Sequence, residues 1–129
     1  MTAAIQYMLS QEPAKTASVA LSTFFNIMQK WGVKNDVQIT LLGCPSPSTF
    51  FNWKKGKVSS LPVDTLERIS YVMGIYKALG MLFPSRAQAD AWPKKANLAF
   101  DGLSVVEYLS KGSMLQLIHV RRYLDAQRG

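Results

Sequence analysis

Ser48, Thr49 and Asn52 stand just ahead of Lys54, Lys55 and Lys57, and between Val37 and Val63 those three lysines meet no acid. Small hydroxyls and an amide suit the donor and acceptor edges of bases in a DNA major groove, and ammonium groups suit phosphates. A carboxylate in the same run would repel the nucleic-acid backbone. Phe50 and Trp53 are three apart, so on a helix they share a face and turn inward. That leaves Ser48, Thr49, Asn52 and Lys55 on the other face, with Lys54 and Lys57 flanking it. Phe51 either touches a thymine methyl or a sugar, or is simply a partly exposed aromatic. Stacking of single-stranded bases on these rings is the alternative, but helical spacing favours core packing for Phe50 and Trp53. The competing reading of the whole stretch is a helical hairpin with a solvated basic face.

Other chemistry has little to work with. His119 is the only histidine and Cys44 the only cysteine, eight acids are scattered, and no glycine-rich phosphate loop is present. Such a set supplies no nucleophile–base pair and no zinc site, and it allows no internal disulfide. The expectation is a binding protein with no cofactor, not an enzyme. His119 reads as a partly buried helix residue, Cys44 as a small buried residue before Pro45, and Asp101 as a loop residue that caps or turns the backbone.

The elements that must position these residues are helical throughout. Val19, Leu21, Phe24, Phe25, Ile27, Met28 and Trp31 recur at helical spacing, predicting a helix from Ala14 to Trp31 that Gly32 ends. Asn35 or Asp36 can cap a short second helix through Leu42, with Gly43 as its stop. The prolines of Cys44-Pro45-Ser46-Pro47-Ser48 force a turn, after which Ser46 caps a third helix from Pro47 to Lys55, closed by Gly56. A long helix follows from Pro62 to about Phe83, with Leu66, Ile69, Val72, Met73, Tyr76, Leu79 and Leu82 on its apolar side. In it Gly74 and Gly80 allow close packing or a bend. Ser85 to Trp92 reads as a short helix, residues 94–102 as a loop, and Ser104 with Glu107 as a capping box that opens a helix to Leu109. Ser113 caps the last helix, on which Leu115, Ile118 and Leu124 point toward the core. No segment alternates as a strand does.

The chain has 129 residues, 48% hydrophobic and 18% charged, with a formal charge of +7. That composition suits a folded globule and favours polyanionic partners: nucleic acid, an anionic membrane or an acidic protein. The basic excess is spread out, with eight Lys/Arg against four acids in residues 1–83 and seven against four in residues 84–129. Residues 1–12 read as a loosely held leader without the features of a signal peptide, and no run approaches the ~18 apolar residues of a membrane span. A cytoplasmic protein with no membrane partner is expected.

From Leu66 to Leu79, followed by Leu82-Phe83-Pro84, the chain resembles the Xre/MbcA/ParS-type antitoxins of RES–Xre toxin–antitoxin systems. Asn97-Leu98-Ala99-Phe100-Asp101-Gly102 is similar to that family's N-x-A-F-x-G loop, and Val120 to Gly129 to its V-R-x-Y-L-D-A-x-R-G end. Ala96 stands where a proline is common, and Asn52 where an arginine is frequent before the tryptophan. The resemblance spans roughly residues 15–129. It implies an all-α protein in which an Xre-like helix-turn-helix region, residues 13–83, binds double-stranded operator DNA and represses its own operon. A small helical region, residues 84–129, would hold a RES-type toxin and cover its NAD-consuming site.

The toxin-binding residues so implied are Arg121, Arg122, Tyr123, Gln127, Arg128 and Gly129. Tyr123, Gln127, Arg128 and the carboxylate of Gly129 would enter the toxin's site, or flat contacts would mask it instead. Arginines near a helix end also stabilise the helix by themselves. A homodimer, or a larger hetero-oligomer with toxin, is expected because paired half-sites double the DNA contact. The alternative function is a stand-alone dimeric repressor without a toxin partner.

Overall fold

The computed structural model describes residues 12–129, so the expected leader lies, except for Glu12, outside the described residues. Among the described residues the chain forms seven α-helices: α1 Pro13–Trp31, α2 Asn35–Leu41, α3 Pro47–Lys54, α4 Val63–Leu82, α5 Arg86–Ala91, α6 Val105–Leu109 and α7 Met114–Gln127. Two 3₁₀ turns, Trp92–Lys94 and Leu98–Phe100, occupy part of the stretch expected as loop. The described residues form no strand, only one isolated antiparallel bridge between Ala96 and Ser104.

The punctuation of the chain sets these boundaries. Gly32 adopts a left-handed φ of 63°, which ends α1 by returning its amide and that of Val33 to carbonyls in the last turn. α2 ends in the same manner: the Gly43 amide reaches Thr40 O and the Cys44 amide reaches Ile39 O at 2.9 Å. This closure accounts for one departure from expectation. Cys44 is held by its backbone at φ 62° and its side chain is exposed, not buried. At the other end, α2 begins after Lys34 with no side-chain cap; Asn35 is already helical, and Asp36 Oδ1 accepts only from the adjacent Val37 amide.

Other caps match the sequence. Ser46 Oγ accepts from the Thr49 amide at 3.2 Å with Pro47 behind it. Ser104 and Glu107 form the reciprocal capping box, and Ser113 with Gln116 forms another.

The buried side chains form one cluster that runs through all seven helices. α4 is its axis: α1 and α5 pack on it, α7 lies along it, and α3 packs on α1. α1 contributes Ala17, Ala20, Leu21, Phe24, Ile27, Met28 and Trp31, while Val19 faces water at 59% exposure. α7 contributes Leu117, Val120 and Leu124, a 3–4 spacing that defines its inner stripe. Leu115 lies two residues out of that phase and is 73% exposed, contrary to expectation. His119 is exposed as well; its Nδ1 shares a hydrogen with Tyr108 Oη at 2.7 Å and its ring meets Phe100 edge-on.

Two polar ties fix α4 to the elements around it. Thr65 Oγ1 donates to Leu42 O at 3.0 Å in a buried contact, fixing the α2–α3 turn to α4. The Arg68 guanidinium pairs with Asp64 at 2.9 Å and donates to Gly112 O, ahead of α7, at 3.1 Å. The glycines of α4 serve close approach. A Cβ on Gly74 would occupy the seat of the Arg121 guanidinium, and one on Gly80 that of Arg86. Arg86 in turn lies 3.6 Å from the centre of the Tyr76 ring and pairs with Asp90.

Candidate functional site

α3 is amphipathic in a way its eight residues determine. Phe50 is 0% exposed, and Trp53 is half-buried against the same core. Burying a ring of this size is worth roughly 2–3 kcal/mol, enough to fix the helix's rotation. The outward stripe at i, i+3, i+4 and i+7 is then Ser48, Phe51, Asn52 and Lys55, all exposed. Thr49 is half-buried at its margin, and its Oγ1 accepts from Ser46 Oγ at 2.9 Å. Lys57 lies just past the helix, exposed, with its amide returned to Asn52 O at 2.9 Å. Asn52, Lys55 and Lys57 have no side-chain partner among the described residues, and α3 carries no acid. Of the seven residues expected at a DNA surface, Ser48, Phe51, Asn52 and Lys55 therefore share one side of α3, with Thr49 at its margin and Lys57 just past its end.

Lys54 is the seventh, and it turns back. Its Nζ donates to Asn35 Oδ1 at 2.8 Å and lies 5.5 and 5.3 Å from the ring centres of Phe25 and Phe50. It ties the end of α3 to the start of α2, a role its place in the lysine run did not reveal.

The C-terminal residues are organised by a carboxylate. Asp125 accepts from Arg121 Nε at 3.1 Å and from Arg128 Nη2 at 2.9 Å, so one acid clamps two cations on α7. Arg128 also reaches the Met81 sulfur at the end of α4. Burial pushes the Asp125 carboxyl up, but hydrogen bonds from Arg121 and Arg128 and their charges outweigh it and hold it below the usual range. Glu107 is lowered too, chiefly by the Ser104 backbone amide and then by its hydroxyl. Tyr123 is half-buried, stacked on Trp92 at 6.3 Å and edge-on to Phe100 at 5.2 Å. Arg122, Gln127 and Gly129 are exposed and no side-chain hydrogen bond or ion pair engages them among the described residues.

The expected partner-binding residues thus divide: Arg121 and Tyr123 are packed into the fold, Arg128 is clamped but exposed, and Arg122, Gln127 and Gly129 are presented outward. Asp125 is the organising residue the sequence reading passed over. The signal was there, because 121, 125 and 128 are four and three apart on one helix. Asp101 adopts a left-handed φ of 57° and ends the second 3₁₀ turn, as expected of a residue that turns the backbone. No group of three or more His, Cys, Asp or Glu side chains among the described residues could hold a metal ion. No helix among them is long and apolar enough to cross a membrane.

Residues 11–74 match the family described as the antitoxin Xre-like helix-turn-helix domain. The chain is 46% identical over 109 residues to Uncharacterized protein y4oB of Sinorhizobium fredii (strain NBRC 101917 / NGR234), covering 84% of each chain. No solved structure matches.

Proposed function

Since the chain belongs to the family that carries the antitoxin Xre-like helix-turn-helix domain, we propose that it is the antitoxin of a RES-type toxin and the repressor of its own operon. The observation that carries the DNA half is the outward stripe of α3: exposed, free of acid, and with Asn52 and Lys55 unengaged. Laid in a major groove, Ser48 and Asn52 would meet base edges while Lys55, and Lys57 beyond the helix end, neutralise phosphates. α2 lies across the backbone, held to α3 by Lys54 and Asn35. A dimer on paired half-sites supplies the contact area that one eight-residue helix lacks.

The partner half rests on the resemblance of the C-terminal segment to RES-system antitoxins and on the clamped geometry of α7. Arg122, Gln127 and Arg128 emerge from a helix end whose other groups are packed or paired, so a partner meets a fixed shape. The chain neutralises its toxin by occupying the nucleotide site, and this requires no chemistry of its own.

Co-expression with the product of the adjacent reading frame tests both halves. The expected result is a complex that co-purifies, rescues growth and binds the upstream promoter. Deleting Gln127 to Gly129 should leave folding and promoter binding intact while restoring toxicity. Full neutralisation by the shortened protein would remove the tail from the mechanism. Promoter binding without a stable complex would favour the stand-alone dimeric repressor.

A further inference from the structure

We propose that Phe51 reads the 5-methyl group of a thymine in the operator's major groove, which makes it a specificity-determining residue. This rests on the promoter-binding reading above and names what one side chain of that surface recognises.

Phe51 is 44% exposed in the middle of a stripe whose other members, Ser48, Asn52 and Lys55, are polar. A single exposed apolar side chain is ordinary on a protein surface. This one differs in its backing. Its ring meets Phe50 edge-on at 5.2 Å, and Phe50, fully buried, meets Phe25 edge-on at 5.8 Å. Phe51 thus rests on a fully buried ring that is itself braced by the half-buried Phe25. The Phe51 ring is therefore held in place before any ligand arrives, so docking costs little rotamer freedom.

What such a ring can meet is restricted. Base edges in the major groove are donors and acceptors, apart from the C5–H of cytosine and the larger, projecting C5 methyl of thymine. Pressing a ring on a donor or acceptor would strip its water without replacing the hydrogen bond. Pressing it on a methyl buries apolar surface on both sides. Sugar C–H groups of the groove wall are the rival contact, and they are the same whatever the base.

The test uses the full chain and its own promoter fragment, made once with thymidine and once with deoxyuridine throughout. The two differ by the methyl alone, since pairing and polar edges are unchanged. The wild-type protein should bind the deoxyuridine fragment about fourfold more weakly per half-site, the weight of one buried methyl. Phe51→Ala should bind both fragments equally, and Lys57→Ala should weaken both while keeping the ratio. A third fragment, with 5-methyl-deoxycytidine replacing deoxycytidine, should bind wild type no more tightly than the unmodified one; tighter binding would move the contact from thymine to cytosine and overturn the assignment. Equal wild-type affinity for the thymidine and deoxyuridine fragments, or a ratio retained by Phe51→Ala, overturns it also. Failure of the wild type to bind any fragment would instead defeat the promoter-binding reading itself.

Discussion

α3 and α7 both present basic residues on an outer face, yet their charges are handled in opposite ways. At the end of α3 and just past it, Lys55 and Lys57 make no ion pair among the described residues. On α7, Asp125 takes hold of Arg121 and Arg128 together. A cation with no internal partner keeps its full attraction for a polyanion. A cation already paired offers direction and shape, and much of its field is cancelled. The first surface should therefore act through charge and respond steeply to salt, and the second through fit and respond weakly.

Charge reversal should break that contrast most sharply. Lys55→Glu is expected to weaken promoter binding on the order of 100-fold at moderate salt, while Arg122→Glu on α7 leaves it within a few-fold. Anisotropy titrations of labelled promoter read both, and equal losses would erase the distinction. Milder changes separate roles within α3. Lys57→Ala should weaken binding to all sequences alike and reduce the salt slope by about 0.9, whereas Asn52→Ala should relax the choice of operator. Indiscriminate losses from both would put α3 outside the groove.

On the α7 side, Gly74→Ala places a methyl in the seat of the Arg121 guanidinium. That group ends a flexible side chain and can swing away, and alanine favours the helix by about 1 kcal/mol, so the net change in urea unfolding should stay under about 1 kcal/mol. In an Arg121→Ala background the same substitution should stabilise by up to about 1 kcal/mol. Additive effects in that double-mutant cycle would show that the seat does not matter.

The smallest effect concerns pH. Asp125 is lowered in the folded chain, so its contribution is complete above the ordinary carboxylate range and disappears as pH falls through the folded value. Thermal unfolding of the wild type should lose stability below about pH 4, and Asp125→Asn should flatten that acid limb by a few tenths of a kcal/mol. Glu107, also lowered, supplies part of the slope that remains.

Much of this was legible in the sequence because local rules governed it. Ser46, Pro47 and Gly56 bracket α3, and the spacing of Phe50 and Trp53 sets its rotation, so Ser48, Asn52 and Lys55 of the outward stripe could be read, while Thr49 fell to the margin and Phe51, left open, joined the stripe. The phase of α7 was not legible, since Leu115, Leu117, Ile118, Val120 and Leu124 admit two apolar stripes and only packing on α4 chooses between them. Cys44 escaped for a different reason. Its position follows from a backbone closure of α2, and its side-chain type has no say in it. Lys54 is settled by a partner 19 positions away, Asn35, and the Arg121 guanidinium, besides its local pairing with Asp125, lies against Gly74 of α4, contacts that no local pattern connects.

The span matched by the helix-turn-helix family ends at residue 74, partway along α4. Beyond that point Ile75, Ala78 and Leu79 are still buried, and α7 runs along the same helix. α4 is thus a wall common to two rooms. Severing the chain there would leave an oily flank wet, and a transplanted front half would arrive without its backing. On the proposed reading, redirecting this protein to a new promoter means repainting the outward side chains of α3 in place, not exchanging the segment that bears them.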